Sequence, residues 1–337
     1  MQKLYSHNIR QIKKVDLHRH LDCSVRWSTL VELAPQVGIA LGSTIHQQKE
    51  QFLITAPMMD LSSVLNKFLH AQKVLASEEI LTRIAYEACE DAFNDGIRIL
   101  ELRYAPTFIA DGHPNLSYEK IHLALVKGLE KARKTWPLAV GLICIIQRVK
   151  PLSVAEYIAD FAIDHKDTFI ALDLADNEED SDPKAFAPFF QKAKKAGLHI
   201  TVHSGESPLP HAASWVKDSI EILGAERIGH GVQIIHDPSV MKFVREQQIP
   251  LEVCPVSNYL TQAFKTHEAH PLRRLRDEGI LLTLNSDDPG IFATTLSDDY
   301  EIAHRVHGFT AEDFALCNEL AYQVSFLSEK EKARVWK

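Results

Sequence analysis

Short apolar, β-branched runs alternate along the chain with longer segments whose apolar residues recur at helical spacing. The runs fall at 12–18, 97–104, 138–148, 168–175, 198–203, 227–230, 250–254 and 280–287, the sixth being the shortest. Such alternation is the signature of parallel βαβ units, and eight of them predict a (β/α)₈ TIM barrel of the α/β class. Helix ends are legible between the runs. Ser153 with Glu156, Thr310 with Asp313 and Ser328 with Glu331 have capping-box spacing, and Asp182 and Asp237 each precede a proline suited to open a helix. Gly96, Gly197 and Gly279 stand just before a run, where a helix C-terminus calls for a left-handed residue. Ile80, Ile84, Ala88 and Ala92 recur every fourth position and predict the buried stripe of one barrel helix.

Two segments exceed a minimal barrel. Residues 38–73 form an insertion after the first strand, in which Phe52, Leu53, Leu61, Leu65, Phe68 and Leu69 are apolar enough to cover a pocket or to pack as ordinary helices. Beyond the eighth run, the capping patterns at Thr310 and Ser328 predict extra C-terminal helices. No Gly/Ser linker, low-complexity stretch or short repeat divides residues 1–337, so one domain is expected.

Composition narrows the partners. With 45% hydrophobic and 24% charged residues the chain can fill a large core and stay solvated, which excludes disorder. A net charge of -8 argues against nucleic acid, whose binding relies on lysine and arginine displacing counterions, and favours a small molecule. No run is long and apolar enough for a membrane span, and MQKLYSHNIRQIKK lacks the hydrophobic core of a signal peptide, so a cytoplasmic protein without membrane partners is expected. The five cysteines are odd in number and widely spaced, as for reduced thiols.

In a (β/α)₈ barrel the chemistry lies at the carboxyl ends of the strands. The first run ends in His18-Arg19-His20, whose period-two spacing puts both imidazoles on one face. Alone this is weak, since 17 histidines would give roughly one H-x-H by chance. Three further run ends carry the same kind of residue: His203 with Glu206, His230, and Asp287 with Asp288. Singly, His203 reads as a core histidine, His230 as a helix cap and either aspartate as an N-cap. Their recurrence at matching ends instead points to one divalent cation held by His18, His20, His203 and Asp287. Imidazoles with a carboxylate suit Zn²⁺, one position being left for water.

The stretches VDLHRHLD, LTRIAYEACEDAFNDGIRILELRYAP, TVHSGE, ERIGHGV, LEVCPVSNYLTQAF and TLNSDDPGIFATTLSDDY, spread from about residue 14 to residue 300, resemble the adenosine deaminase family of the amidohydrolase superfamily. The resemblance implies one zinc ion on His18, His20, His203 and Asp287, activating a water that attacks C6 of a purine. It also implies that Glu206 protonates N1, that His230 orients the attacking oxygen and stabilises its charge, that Asp288 bonds N7 and that Asp22 contacts the ribose. Asp22, where adenine deaminases of the family carry glutamate, favours a nucleoside over a free base; its alternative role is to brace Arg26.

Four positions depart from the family pattern. Cys23 replaces a usual glycine and Trp27 a common proline. Asp176 replaces the glycine of D-L-A-G-x-E, where a backbone N–H meets N3, so its carboxylate is expected to crowd the ring or reach another group. Gly290 replaces a larger apolar residue and is expected to widen the pocket. No P-C-x-x-C, P-loop or Arg/Lys clamp occurs, which sets aside cysteine-ligated deaminases and disfavours AMP.

The expected reaction is therefore deamination of adenosine or 2'-deoxyadenosine to the inosine product and ammonia. Related 6-aminopurines (adenine, aminodeoxyfutalosine, an N6-substituted nucleoside) are alternatives. Amide or ester hydrolysis on the same metal, or a catalytically silent nucleoside- or partner-binding barrel, are readings of other classes.

Overall fold

Eight parallel strands, Lys14–His20 (β1), Ile97–Tyr104 (β2), Ala139–Gln147 (β3), Phe169–Ala175 (β4), His199–Ser204 (β5), Arg227–His230 (β6), Leu251–Val253 (β7) and Leu282–Leu284 (β8), lie side by side in chain order. They belong to a computed structural model that describes residues 6–57, 61–179 and 181–336. Every neighbouring pair from β1·β2 to β7·β8 is parallel. With helices between successive strands this is the (β/α)₈ barrel that the alternation predicts.

The circle closes at its C-terminal mouth. Arg19 and Asp287 form an isolated parallel bridge, in which His20 N donates to Asp287 O (2.8 Å) and Asp287 N to His18 O (2.9 Å). β1 thus runs two residues past its predicted end, whereas β7 and β8 are shorter than predicted and leave Cys254 and residues 285–287 in the loops.

The apolar core lies between strands and helices, and the barrel interior is charged instead. Arg103 on β2 donates to Asp173 on β4 and to Glu252 on β7, both at 2.8 Å. Arg227 on β6 donates to Glu252 and to Glu101 on β2, both at 2.6 Å. Three of these four links join non-adjacent strands and so cross the interior, and Arg227 to Glu252 spans the neighbouring β6 and β7. Burying such charges is tolerable because each is paired and hydrogen-bonded.

Most predicted helix ends occur where expected. Thr310 with Asp313 forms a capping box, Ser328 Oγ meets Glu331 both ways, and Asp182 and Asp237 cap their helices. Gly96, Gly197 and Gly279 are left-handed. Ser153 is the exception: the helix Leu152–Asp164 begins one residue before it, with Pro151 at the N-cap and no side-chain cap. Pro151, already extended at ψ 147°, sets the helix start and leaves Ser153 inside the first turn. In the helix Glu78–Asn94 the buried face is Leu81, Ile84, Ala85, Ala88, Cys89 and Ala92, while Ile80 is only partly covered.

The insertion folds into helices that include Ile45–Phe52 and Leu61–Val74. Phe52 and Leu53 are buried, Leu69 is exposed, and the side chains of Leu61 and Leu65 lie outside the described residues. Phe68 packs with Ile54 against Cys23, Ile291 and Phe292, and Ile54 N donates to Ile291 O (2.8 Å), so the insertion is seated on the loop after β8. The C-terminal helices Ala311–Val324 and Glu329–Trp336 are present as predicted. All five cysteines are buried and free, and among the described residues no helix is long and apolar enough to cross a membrane.

Candidate active site

Both inward residues at the end of β1, His18 and His20, meet His203 at the end of β5 and Asp287 after β8. One ligand atom from each of the four lies within 4.8 Å of the others. Asp287 Oδ1 is 3.4 Å from His18 Nε2 and 3.3 Å from His20 Nε2, and His20 Nε2 is 3.1 Å from His203 Nε2.

The far ring nitrogens are already engaged. His18 Nδ1 donates to Glu252 Oε2 (2.9 Å) and His203 Nδ1 to Asp173 Oδ2 (2.9 Å), which leaves both Nε2 lone pairs directed into the cluster. Among the described residues His18 Nε2 has no hydrogen-bond partner, although it is buried. Lone pairs converging on a carboxylate are mutually repulsive until a cation sits among them, so this donor set fits a divalent ion.

The surrounding charges fix protonation. Burial would raise the Asp173 carboxyl, but His203 and Arg103 hold it well below the usual carboxylate range. Burial likewise opposes ionisation of Glu252, and Arg103, Arg227 and His18 overcome it. Asp287 is pulled down against burial by His18, His230 and His20, while burial and the adjacent Asp287 charge push Asp288 up. The site thus holds one ionised carboxylate beside one that favours its proton.

Backbone geometry serves the same end. Asp287 (φ 59°) and His230 (φ 60°) adopt left-handed conformations, each costing on the order of 1 kcal/mol for a side chain-bearing residue. Gly229 makes room: a Cβ there would lie 2.9 Å from His18 Cε1.

His230 brings its Nε2 to 3.5 Å from Glu206 Oε2 and 3.8 Å from Asp287 Oδ2. Glu206 is partly exposed at the rim, with Thr261 Oγ1 donating to its Oε1 (3.1 Å). Asp22 is buried; Ala105 N donates to its Oδ2 (3.1 Å), its Oδ1 lies 3.9 Å from His20 Nδ1 with no hydrogen-bond partner among the described residues, and burial pushes its carboxyl up to about 7. It does not brace Arg26, which pairs with Glu90 and Asp91.

Asp288 is buried beside Cys23, whose thiol hydrogen-bonds it. Asp176 is exposed in a left-handed turn (φ 88°), where its Oδ2 accepts from Gln147 Nε2 (2.8 Å) and its Oδ1 from Asn177 N (2.7 Å). Gln147 Oε1 in turn accepts from Thr107 Oγ1 (2.6 Å), so the added carboxylate is tied along the rim. Gly290 does not widen the pocket. A Cβ there would meet Cys23 O and Val25 O at 2.6 Å, because the loop after β1 fills the space.

Residues 13–337 match the family model described as adenosine deaminase. The chain belongs to the adenosine deaminase family. Across 319 residues it is 34% identical to an adenosine deaminase from Klebsiella pneumoniae, covering 94% of this chain and 95% of that protein. The fold superposes on the adenine deaminase from Arthrobacter aurescens with a TM-score of 0.86, 26% identity and 96% of each chain covered. It also superposes on the N6-methyl-AMP deaminase from Arabidopsis thaliana with a TM-score of 0.84 and 26% identity, covering 98% of this chain and 97% of that one. The adenosine deaminase family member described here is a hydrolytic enzyme with a cluster able to hold a metal.

Sequence reasoning singled out the cluster and its rim but assigned no task to Asp173, Glu252, Arg103 or Glu178. For Asp173 and Glu252 the trace in the sequence is a lone charge inside an otherwise apolar run, IALDLA and LEVC, which marks them only once their partners are seen.

Proposed function

We propose that the protein deaminates adenosine or 2'-deoxyadenosine, adding water and releasing ammonia to leave inosine or 2'-deoxyinosine. The observation that carries this reading is the convergence of three imidazole nitrogens and the Asp287 carboxylate, with Glu206 and His230 on the rim beside them. We assign His18, His20, His203 and Asp287 to hold a Zn²⁺ ion, which when bound lowers the pKa of a water from 15.7 to about 7.

The remaining roles belong to the chain's own side chains. Glu206, as its acid, gives a proton to N1 of the ring, so that electron density arriving at C6 settles on a neutral nitrogen. A positioned acid contributes typically ~10²–10⁴-fold. His230 faces the attacking oxygen and stabilises its charge. Asp288, buried next to Asp287, hydrogen-bonds N7. Asp176 lines the rim beside Gln147.

Asp22 supports a nucleoside over a free base. Among the described residues its buried Oδ1 has no hydrogen-bond partner, and a ribose hydroxyl is a donor suited to it. The adenine and N6-methyl-AMP deaminases of similar fold keep adenine and N6-substituted purines as the second reading.

Zinc-loaded protein incubated separately with adenosine, 2'-deoxyadenosine, adenine, aminodeoxyfutalosine, N6-methyladenosine and AMP, with ammonia or methylamine measured, tests the reading. The two nucleosides first named should lead by kcat/KM, and no release from any 6-aminopurine would overturn it. Glu206→Gln should abolish release; if it left turnover intact while Asp287→Ala removed it, amide or ester hydrolysis would take its place.

A further inference from the structure

His230 stands at the end of an ordered line of buried polar groups that leads away from the metal cluster. The line begins at the helix Leu272–Asp277, whose first N–H has no partner within the helix. Leu272 N donates to His270 Nδ1 (3.1 Å), so that nitrogen carries no proton and the His270 proton sits on Nε2. His270 Nε2 lies 3.1 Å from Asn258 Oδ1, which accepts it. The Asn258 amide is thereby oriented: its Nδ2 lies 3.1 Å from His230 Nδ1 and donates to it. Turned over, the amide would set N–H against N–H at His270 and lose that bond.

We infer that Asn258 and His270 are positioning residues that fix His230 in the tautomer protonated at Nε2, through hydrogen bonds anchored at the Leu272 backbone. The inference rests on the proposed role of His230 beside the reacting atoms and makes that role more definite. With Nδ1 already accepting from Asn258, neutral His230 presents N–H and not a lone pair to the space it shares with Glu206 Oε2 and Asp287 Oδ2. It therefore acts as a donor to the attacking oxygen and not as the base that takes its proton.

All three side chains are almost fully buried, at 1% for His230, 0% for Asn258 and 4% for His270, so no solvent competes for these bonds. Burial also pushes His270 down to about 3, which keeps it neutral and able to accept from Leu272.

The test uses zinc-loaded full-length protein carrying ¹⁵N-labelled histidine, with the His230 ring signals identified by their loss in His230→Gln. In the wild type, Nε2 should give the protonated shift and Nδ1 the bare, accepting one. Asn258→Asp, which offers only acceptors to His230, should protonate Nδ1 and lower kcat on adenosine by ~10²–10³-fold, as loss of an oxyanion donor does, with KM changed less than about threefold. His270→Gln, which keeps a donor toward Asn258, should retain the wild-type pattern and most of kcat, whereas His270→Leu should lose both. A wild-type His230 protonated at Nδ1, or an Asn258→Asp protein with an unchanged ring pattern and kcat, would overturn the inference. Should Asn258→Asp fail to fold, the wild-type spectrum and the His270 pair decide it. Wild-type protein that shows the Nε2–H tautomer yet turns over no 6-aminopurine would refute the proposed function and leave the relay standing.

Discussion

Glu178 holds Glu206 by its backbone. The Glu178 carboxylate, in the loop after β4, accepts from Glu206 N (2.9 Å) and also from Gly205 N and Ser207 N, both at 2.8 Å. Gln233 Nε2 fixes the other side of the same residue by donating to Glu206 O (3.0 Å). Among the described residues no cation lies within hydrogen-bond reach of this buried carboxylate, which is satisfied by main chain, and the loop that carries the proposed acid is set before any substrate arrives.

Glu178→Ala should therefore lower both stability and activity. Bonds from N–H to an ionised acceptor contribute ~1.5–3 kcal/mol each but not additively, so a loss of about 2–4 kcal/mol in urea unfolding is expected. Deamination should fall at least ~100-fold through misplacement of Glu206. Glu178→Gln, which keeps one acceptor, should be milder on both counts; wild-type kcat in the alanine variant would disprove the positioning role.

Gly229→Ala tests the packing around His18. The added methyl would sit 2.9 Å from His18 Cε1 and 3.3 Å from the His203 Cα, so the imidazole must shift. Displacing a ligand or its support typically costs ~10–100-fold in metal affinity, and overpacking ~1–3 kcal/mol in stability. Titration of the metal-free protein against a competing chelator dye measures the first. Unchanged affinity would show that His18 can move without cost.

Chelation should abolish deamination while the barrel remains. Two of the proposed ligands stay pinned without an ion, His18 by Glu252 and His203 by Asp173, and those acids are themselves held by Arg103. The circular dichroism spectrum should survive, the melting temperature should drop by several degrees from lost binding energy, and zinc should restore both. Complete unfolding on removal of the ion would show the cluster to be a structural element.

Acid should destabilise the fold through His122. This imidazole is buried between Tyr104 Oη (3.0 Å) and Thr168 Oγ1 (2.7 Å), stacks on Phe169, and is pushed down to about 4 by burial, then by His165. An unfolded chain takes the proton near pH 6.5 and the folded one only near 4, so stability is full above that window and declines as pH falls through it. The slope is at most ~1.4 kcal/mol per pH unit for this group. Urea midpoints between pH 7 and 4.5 should fall less steeply in His122→Gln than in the wild type; equal slopes would clear His122 of the effect.

The barrel was legible because alternation of apolar runs survives in one sequence, and the strand-end histidines because a short polar interruption after such a run is conspicuous. The charged interior was not. A single Asp173 or Glu252 inside an apolar stretch reads as noise until the partners on other strands, Arg103 and Arg227, are seen beside it. The exact end of β1 escaped for a related reason: the apolar run gives out at His18, and pairing of Arg19 with Asp287 carries the strand on to His20. Ser153 and Gly290 failed locally, one because a proline upstream decides where the helix begins, the other because neighbouring backbone occupies the space that a missing side chain seemed to leave.

The bridge between Arg19 and Asp287 joins the first strand to the loop after the last strand, and the proposed ligands stand on both sides of that seam. A growing polypeptide that has not yet delivered residue 287 possesses two imidazoles from β1, a third from β5 and no clasp to draw them together. The proposed metal site is consequently a property of the finished circle, assembled only when the ring shuts.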